Sequence, residues 1–287
     1  MVSRMFNKNL PMSSAEEPEE LYIKLAELVE LMVDWKPYIY KESAIRNLSY
    51  AISIRKNVIS IEKNDIQISI DEAQMKMWEY QYKDARDILQ SIINKKTGVT
   101  IAKYKAYELL ATVNILLDNY SDAEENLVFC LDLSKQLGYS DNYNYPVRVQ
   151  LGHLYNLRNR VNESEEYNKQ LLFELLDIYG NNKKDILADV YYNIGDVYFR
   201  KGDCESARKY LNKAIETYKE ENFFRSRKYN YIGQARCYEK LADISIKEGA
   251  ISEAIKSLKE SLKWFGEMLG PEHPETKSCQ EKIYLYE

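Results

Sequence analysis

Apolar residues recur at helical spacing along most of this 287-residue chain, and the recurrence breaks at regular intervals. The clearest stretch runs from Ala188 to Ile215. Tyr191, Ile194, Gly195 and Tyr198 fall at i, i+3, i+4 and i+7 and share one helical face. Gly202 and Asp203 interrupt that face, and Ala207, Tyr210, Leu211 and Ala214 rebuild it on a second helix. Small residues at Gly195 and Ala207 let two antiparallel helices cross closely, so the stretch predicts an αα-hairpin.

The same frame recurs on both sides. Downstream, Tyr238, Leu241 and Ala242 precede Gly249, followed by Ala254, Leu258, Ser261 and Leu262. Upstream, Leu151, Gly152 and Tyr155 precede Ser164, Leu171 and Leu172; before them Tyr107, Leu110 and Ala111 precede Ala123, Leu127 and Cys130. Ala73 precedes Tyr82, Ala85, Leu89 and Ile92, and a weaker copy places Leu28 and Leu31 before Ala44, Leu48, Ala51 and Ile52. The small residue of each second helix stands at 44, 85, 123, 164, 207 and 254, giving spacings of 41, 38, 41, 43 and 47. A two-helix unit recurring at such a period predicts a solenoid, because one hairpin alone does not bury its apolar face.

This frame resembles the tetratricopeptide repeat (TPR) nearly position for position, in a form longer than the minimal unit of about 34 residues. Two linkers are similar to those of kinesin-light-chain-type repeats: Leu269 to Thr276, which reads LGPEHPET, and more loosely Tyr179 to Ile186. The resemblance implies an all-α fold, an α-solenoid of stacked hairpins forming a right-handed superhelix with a concave groove. Residues 1–17 are expected as a flexible tail and 18–64 as an N-terminal helical cap or degenerate first repeat. Residues 65–287 are expected as an array of about five repeats, closed by a capping helix that starts at Pro274.

Composition narrows the function. Ten Gly and six Pro are too few for a loop-rich β protein, and the stretches 38–145 and 147–270 contain no proline. With 45% apolar and 30% charged residues, wholesale disorder is excluded. A net charge of −5 lacks the basic excess of a general nucleic-acid or anionic-membrane binder. No apolar run reaches the length of a membrane span, and the first twenty residues have no signal-peptide core. Cys130, Cys204, Cys237 and Cys279 are scattered without a C-x-x-C, which points to free thiols in a reducing, cytoplasmic setting.

Catalytic chemistry is sparse. The two histidines, His153 and His273, lie 120 residues apart and form no zinc motif. His273, between two prolines, reads as a helix N-cap, whereas His153 sits where a first helix faces a groove. Nucleophile elbows, phosphate loops and dinucleotide fingerprints are absent from the sequence. No catalytic residue, cofactor or metal is therefore assigned. The 25 tyrosines are unusual in number; Tyr107, Tyr155, Tyr191, Tyr198, Tyr210 and Tyr238 fill the large-residue slots of the repeat.

In the TPR family, partners lie along the concave face, on recurring positions of the first helices. Carried over, that frame places Met77 and Trp78 in the first repeat and Glu108, Thr112 and Ile115 in the second. Val149, His153 and Asn156 follow in the third; Asp189, Tyr192, Asn193, Asp196, Phe199 and Arg200 in the fourth; Glu239 and Asp243 in the fifth. Asn193 matches one asparagine of the carboxylate clamp of chaperone-binding repeats; Gln150 stands at the neighbouring place, and the clamp's lysines are missing. The N-terminal half of the groove reads as apolar, with Leu116 and Leu157 beside Met77, Trp78 and Ile115. The C-terminal half mixes aromatic rings with Asp189, Asp196, Glu239 and Asp243.

The expected partner is a protein or peptide with apolar anchors at one end and basic residues at the other. Neither nucleic acid nor membrane is expected, and self-association stays open. The expected function is a non-enzymatic scaffold or adaptor. Two alternatives remain: a ligand-gated regulator similar to Gram-positive peptide-pheromone receptors or response-regulator phosphatases, and an immunity protein or effector acting by surface mimicry.

Overall fold

A computed structural model describes residues 45, 46, 48, 49, 52, 53, 65–95, 98–139, 144–180, 184–219 and 227–287. The expected tail at 1–17 and most of the expected cap at 18–64 lie outside the described residues. From residue 65 on, the described residues form eleven helices and no strand. They are α1 (Asp65–Trp78), α2 (Tyr82–Ile93), α3 (Ile101–Leu116), α4 (Tyr120–Gln136), α5 (Tyr145–Leu157) and α6 (Val161–Tyr179). They continue as α7 (Lys184–Lys201), α8 (Cys204–Lys219), α9 (Arg227–Lys247), α10 (Ile251–Leu269) and α11 (Pro274–Tyr286). Each helix packs on the next, and first helices also touch first helices, α1 on α3, α5 on α7 and α7 on α9. This is an all-α solenoid of paired helices.

The five hairpin turns are copies of one another. Backbone N–H groups of Gln81, Asn119, Arg160, Asp203 and Ala250 donate to the carbonyls five residues back, at 2.8–3.0 Å. Each such bond wraps a residue in the left-handed region: Tyr80, Asp118, Asn159, Gly202 and Gly249. Only two of the five are glycine. At the other three the loop-closing bonds and helix packing outweigh the strain of a side chain at positive φ.

Apolar burial follows the stacking. Ile70, Ala73, Ala85 and Leu89 of the first hairpin pack with Ala106 and Leu110 of α3. Leu127, Cys130 and Leu133 of α4 pack with Val147, Leu151 and Leu154 of α5. The largest cluster runs from Tyr145 and Leu171 through Ile194 and Leu211 to Leu241. A last one joins α9 and α10 to Cys279 and Ile283 of α11. His273 caps α11, its Nδ1 accepting the Glu275 N–H at 3.1 Å.

A buried amide network fixes the joint between the third and fourth hairpins. Asn168, fully buried on α6, donates through Nδ2 to the Gly152 and Ser164 carbonyls (3.3 and 2.8 Å) and to Ser164 Oγ (3.0 Å). Its Oδ1 accepts from Asn193 Nδ2 at 3.1 Å. Asn193 also donates to the Val149 carbonyl, and Asn156 donates to the Asn193 carbonyl. Gly152 is obligatory here: a Cβ would overlap the Asn168 carboxamide, lying 2.9 Å from its Cγ.

On the turn edge, ion pairs tie three of the second helices, α4, α6 and α8, to the next turn. Glu124 takes Arg158 and Arg160, the latter at 2.7 Å, and Glu165 takes Lys201. At the next joint the signs reverse, with Arg208 on the second helix and Glu248 at the turn, 2.5 Å apart. Such partly exposed pairs contribute below about 1 kcal/mol each, so they set register more than stability. The array also bends round on itself. Tyr80 Oη donates to the Leu269 carbonyl at 3.3 Å, and its ring meets His273 edge-on at 5.1 Å. The turn of the first hairpin thus rests on the linker before α11.

Candidate functional site

The concave face is built by the first helices of the hairpins, and α5, α7 and α9 converge on it. A cavity of about 130 Å³ opens there. Helix α5 contributes Val149, Gln150 and His153; α7 contributes Asp189, Tyr192 and Asn193; α9 contributes Ile232, Gly233 and Arg236. Tyr218 reaches in from α8 and donates its hydroxyl to the Asp189 carboxylate. It passes directly over Gly233, where a Cβ would stand 2.6 Å from the Tyr218 hydroxyl. A glycine inside a helix is thus what lets a second-helix tyrosine form a cavity wall.

His153 Nδ1 and Gln150 Oε1 are shielded from solvent and have no hydrogen-bond partner among the described residues. The His153 ring lies 6.2 Å from Tyr192, tilted at 44°. Burial, reinforced by Arg236 and opposed by Asp196, lowers the His153 imidazole to about 4, so it is neutral at physiological pH. Burial, with the nearby Asp196 charge, also raises the Tyr192 phenol, which stays protonated.

One helical turn further along, charge is paired inside the chain. Asp196 is buried, with Arg200 Nε at 2.9 Å on one oxygen and Lys240 Nζ at 2.9 Å on the other. Burial alone would raise its carboxyl; the two cations outweigh that and hold it below the usual carboxylate range. Lys282 of α11 binds Glu239 at 2.7 Å and Asp243 at 3.2 Å. Phe199 lies under Lys240 and Lys247, whose ammonium groups stand 5.2 and 5.5 Å from its ring centre. The end that reads as acidic in sequence is thus locally neutral in space. Its cations come from the same helix face or from α9 and α11, roughly forty residues away.

The structure therefore divides the expected groove residues. Val149, His153, Asp189, Tyr192 and Asn193 meet around one cavity. Asp196, Phe199, Arg200, Glu239 and Asp243 form the charged, aromatic strip beyond it. Asn156 and Asn193 spend their amide N–H groups on the buried network. Met77 packs on the first hairpin's core, and Trp78 against Leu48, Ile52 and Ile68. Ile115 packs on the cluster of α3 to α5, Glu108 pairs with Lys105, and Thr112 donates to the Glu108 carbonyl. None of these N-terminal residues lines the cavity. Tyr218, Ile232 and Gly233 do line it and escaped the sequence frame. Gly233, a glycine within a helical pattern, was the available signal.

Other chemistry is thin. Among the described residues no group of three or more His, Cys, Asp or Glu could hold a metal ion, and no helix is long and apolar enough to cross a membrane. Burial pushes the Cys130, Cys237 and Cys279 thiols up, so they are protonated at neutral pH.

Comparison with known proteins agrees with this geometry. The tetratricopeptide-repeat family model matches residues 147–220, the region of α5 to α8. No curated protein sequence matches the chain. Among solved structures, NprR in complex with its cognate peptide NprX superposes with a TM-score of 0.64 at 16% identity, covering 100% of this chain and 84% of that one. The apo form of the quorum sensor NprR from B. thuringiensis gives 0.62 at 14% identity, covering 99% and 74%. Kinesin light chain repeats from Podosopora anserina give 0.54 at 14% identity, covering 71% and 97%. These likenesses are of fold. Residues 147–220 thus match the tetratricopeptide repeat, and the same turn recurs in all five hairpins of the all-α solenoid.

Proposed function

We propose that this protein is a non-enzymatic, cytoplasmic interaction module that holds a segment of a partner protein, or a free peptide, in its concave groove. The observation that carries this reading is the cavity where three successive first helices converge, walled by Tyr192 and by the Asp189–Tyr218 pair. Chemistry at the same place is disfavoured. An imidazole near 4 is too weak a base for proton transfer at neutral pH, and the buried thiols are not thiolates. Within the groove, Tyr192 and Phe199 supply the aromatic anchors.

The test is capture of the partner from the native host on the immobilised chain, identification by mass spectrometry, and measurement of its affinity. Alanine at Tyr192 and Phe199 together weakens binding by about tenfold or more without unfolding the array. Unchanged affinity in a folded double variant removes the groove from the account.

A second reading, a ligand-gated regulator, has one observation of its own: the Tyr80 contact with Leu269 and His273, which links the two ends of the array. A segment lying along the groove spans the hairpins between those ends. NprR, described as a quorum sensor and in complex with its cognate peptide, has the same fold. Under this reading the chain compacts measurably in small-angle scattering when its peptide is added, and Tyr80→Ala raises the radius of gyration of the free protein. A scaffold shows the same radius in all these states.

A further inference from the structure

One pair of positions separates α4 from the other second helices. Counted from the small residue at which each second helix crosses its partner, the pair lies five and six places on. It is Gln90–Ser91 in α2, Lys169–Gln170 in α6, Asn212–Lys213 in α8 and Lys259–Glu260 in α10, all exposed and all polar. In α4 it is Val128–Phe129, 46% and 52% exposed. The solenoid therefore has no need of apolar side chains at this register, yet α4 displays two of them to solvent. They floor a hollow of about 350 Å³, rimmed by Ser121, Glu124, Glu125, Asp132 and Arg158. Tyr107 of α3 stacks on the Phe129 ring, with centroids 5.3 Å apart and planes at 13°, so the ring is held in place while half of it stays open.

The charge of the hollow selects its guest. Glu124 and Arg158 pair with each other, and Arg160 also holds Glu124, at 2.7 Å. Glu125 and Asp132 make no hydrogen bond or ion pair among the described residues. Each stands one helical turn from Phe129 on the same face, so two open carboxylates bracket the ring. Asp132 also lies towards the C-terminal end of α4, where the helix dipole disfavours an anion, so the helix itself gains nothing from it. An acidic guest is repelled here, and a purely apolar one covers the carboxylates without pairing them. An arginine meets every feature: its stem is apolar, and its planar guanidinium lies flat on an aromatic ring and forks onto a carboxylate. We propose that this hollow is a second docking site, and that it takes an arginine of a partner protein's segment. The guanidinium stacks on Phe129 and pairs with Glu125 or Asp132, while an apolar neighbour in the segment lies on Val128. The hollow shares no lining residue with the groove cavity, so either site can be altered by substitution without touching the other.

The test pans a displayed library of random dodecapeptides on the full chain and measures the enriched sequences, as synthetic peptides, by fluorescence anisotropy. The expected result is a set of peptides with a recurrent arginine beside an apolar residue, bound about tenfold more weakly when Val128→Gln and Phe129→Ser are combined. That double variant gives α4 the pair that α2 already carries, Gln90–Ser91, so it keeps the fold, which circular dichroism checks. Glu125→Gln with Asp132→Asn weakens the same peptides by about threefold to fivefold, and lysine in place of the peptide's arginine costs about threefold. Tyr192→Ala with Phe199→Ala leaves them unchanged. A charge exchange reads the pairing directly: Glu125→Lys with Asp132→Lys binds a peptide carrying Glu for Arg about tenfold better than the parent chain does. If no enriched peptide depends on Val128 and Phe129, the docking site is overturned and the groove reading stands. Dependent peptides that are acidic or carry no cation overturn the arginine assignment. Peptides that respond to salt and to the carboxylate variants but ignore Phe129→Ser overturn the hollow as their seat.

Discussion

Asn168→Ala is expected to destabilise the protein by about 2–4 kcal/mol, the largest single-residue effect outside the apolar core. Asn168 is fully buried and joins three helices. Its Nδ2 bonds Gly152 on α5 and Ser164 on its own helix, and its Oδ1 takes the Asn193 amide from α7. Alanine leaves a void beside Gly152, where no side chain stands, and takes from Asn193 its acceptor on α6. The site cannot collapse easily, because α5 and α6 are already held at their closest approach. For a chain of this size the loss lowers the melting temperature by about 5–10 °C. Asn162→Ala, exposed on the same helix, is the control and stays within about 0.5 kcal/mol of the parent. A shift no larger for Asn168 than for Asn162 contradicts the network described.

The second large effect is on acid stability. His153 has an ordinary value of 6.5 when unfolded and about 4 when folded, lowered first by burial and then by Arg236, with Lys240 and Arg200 adding and Asp196 opposing. Because the folded value is the lower one, the unfolded chain takes up the proton first as pH falls. The stabilisation is complete above 6.5 and is lost as pH drops towards 4. The fall from 6.5 to about 4 amounts to roughly 3 kcal/mol in all, of which about 1.5 kcal/mol is lost between pH 6.5 and 5. Carboxylates add their own loss further down. Glu165, held at about 2 by Lys169 and Lys201, and Asp196 and Glu275, both held low by neighbouring cations, lose stabilisation as pH falls below their unfolded values of 4.5 or 3.8. The window from 6.5 to 5 lies above these carboxylate values, and comparison with His153→Phe isolates the share of His153. Urea titrations across it should show a slope in the parent that His153→Phe flattens; equal slopes place the imidazole in water.

What the chain disclosed before folding was its repeat, and the reason is steric. Two helices crossing closely demand a small residue at one fixed place, so Ala85, Ala123, Ser164, Ala207 and Ala254 carry a period that survives drift elsewhere. The five turns lie at the same spacings, 38, 41, 43 and 47, measured between Gln81, Asn119, Arg160, Asp203 and Ala250. Turn chemistry itself was half hidden, since Tyr80, Asp118 and Asn159 adopt a conformation that only Gly202 and Gly249 advertise. The groove was legible in outline, because first-helix positions converge by periodicity alone. Its electrostatics were not: Asp196 and Lys240 are 44 positions apart and meet only once α7 and α9 stack. Nor could spacing tell that Asn193 would donate into the core and Tyr192, one residue before it, line the cavity.

The role proposed for this protein depends on where the partner lies. The convex face offers a rival, with Phe129 and Phe173 both more than half exposed on second helices. The direct measurement is the dissociation constant of the identified partner segment for two folded double variants, Tyr192→Ala with Phe199→Ala, and Phe129→Ala with Phe173→Ala. Groove binding predicts a loss of about tenfold or more for the first pair and less than about twofold for the second. The reverse pattern, with the convex pair costing affinity and the groove pair costing none, contradicts it.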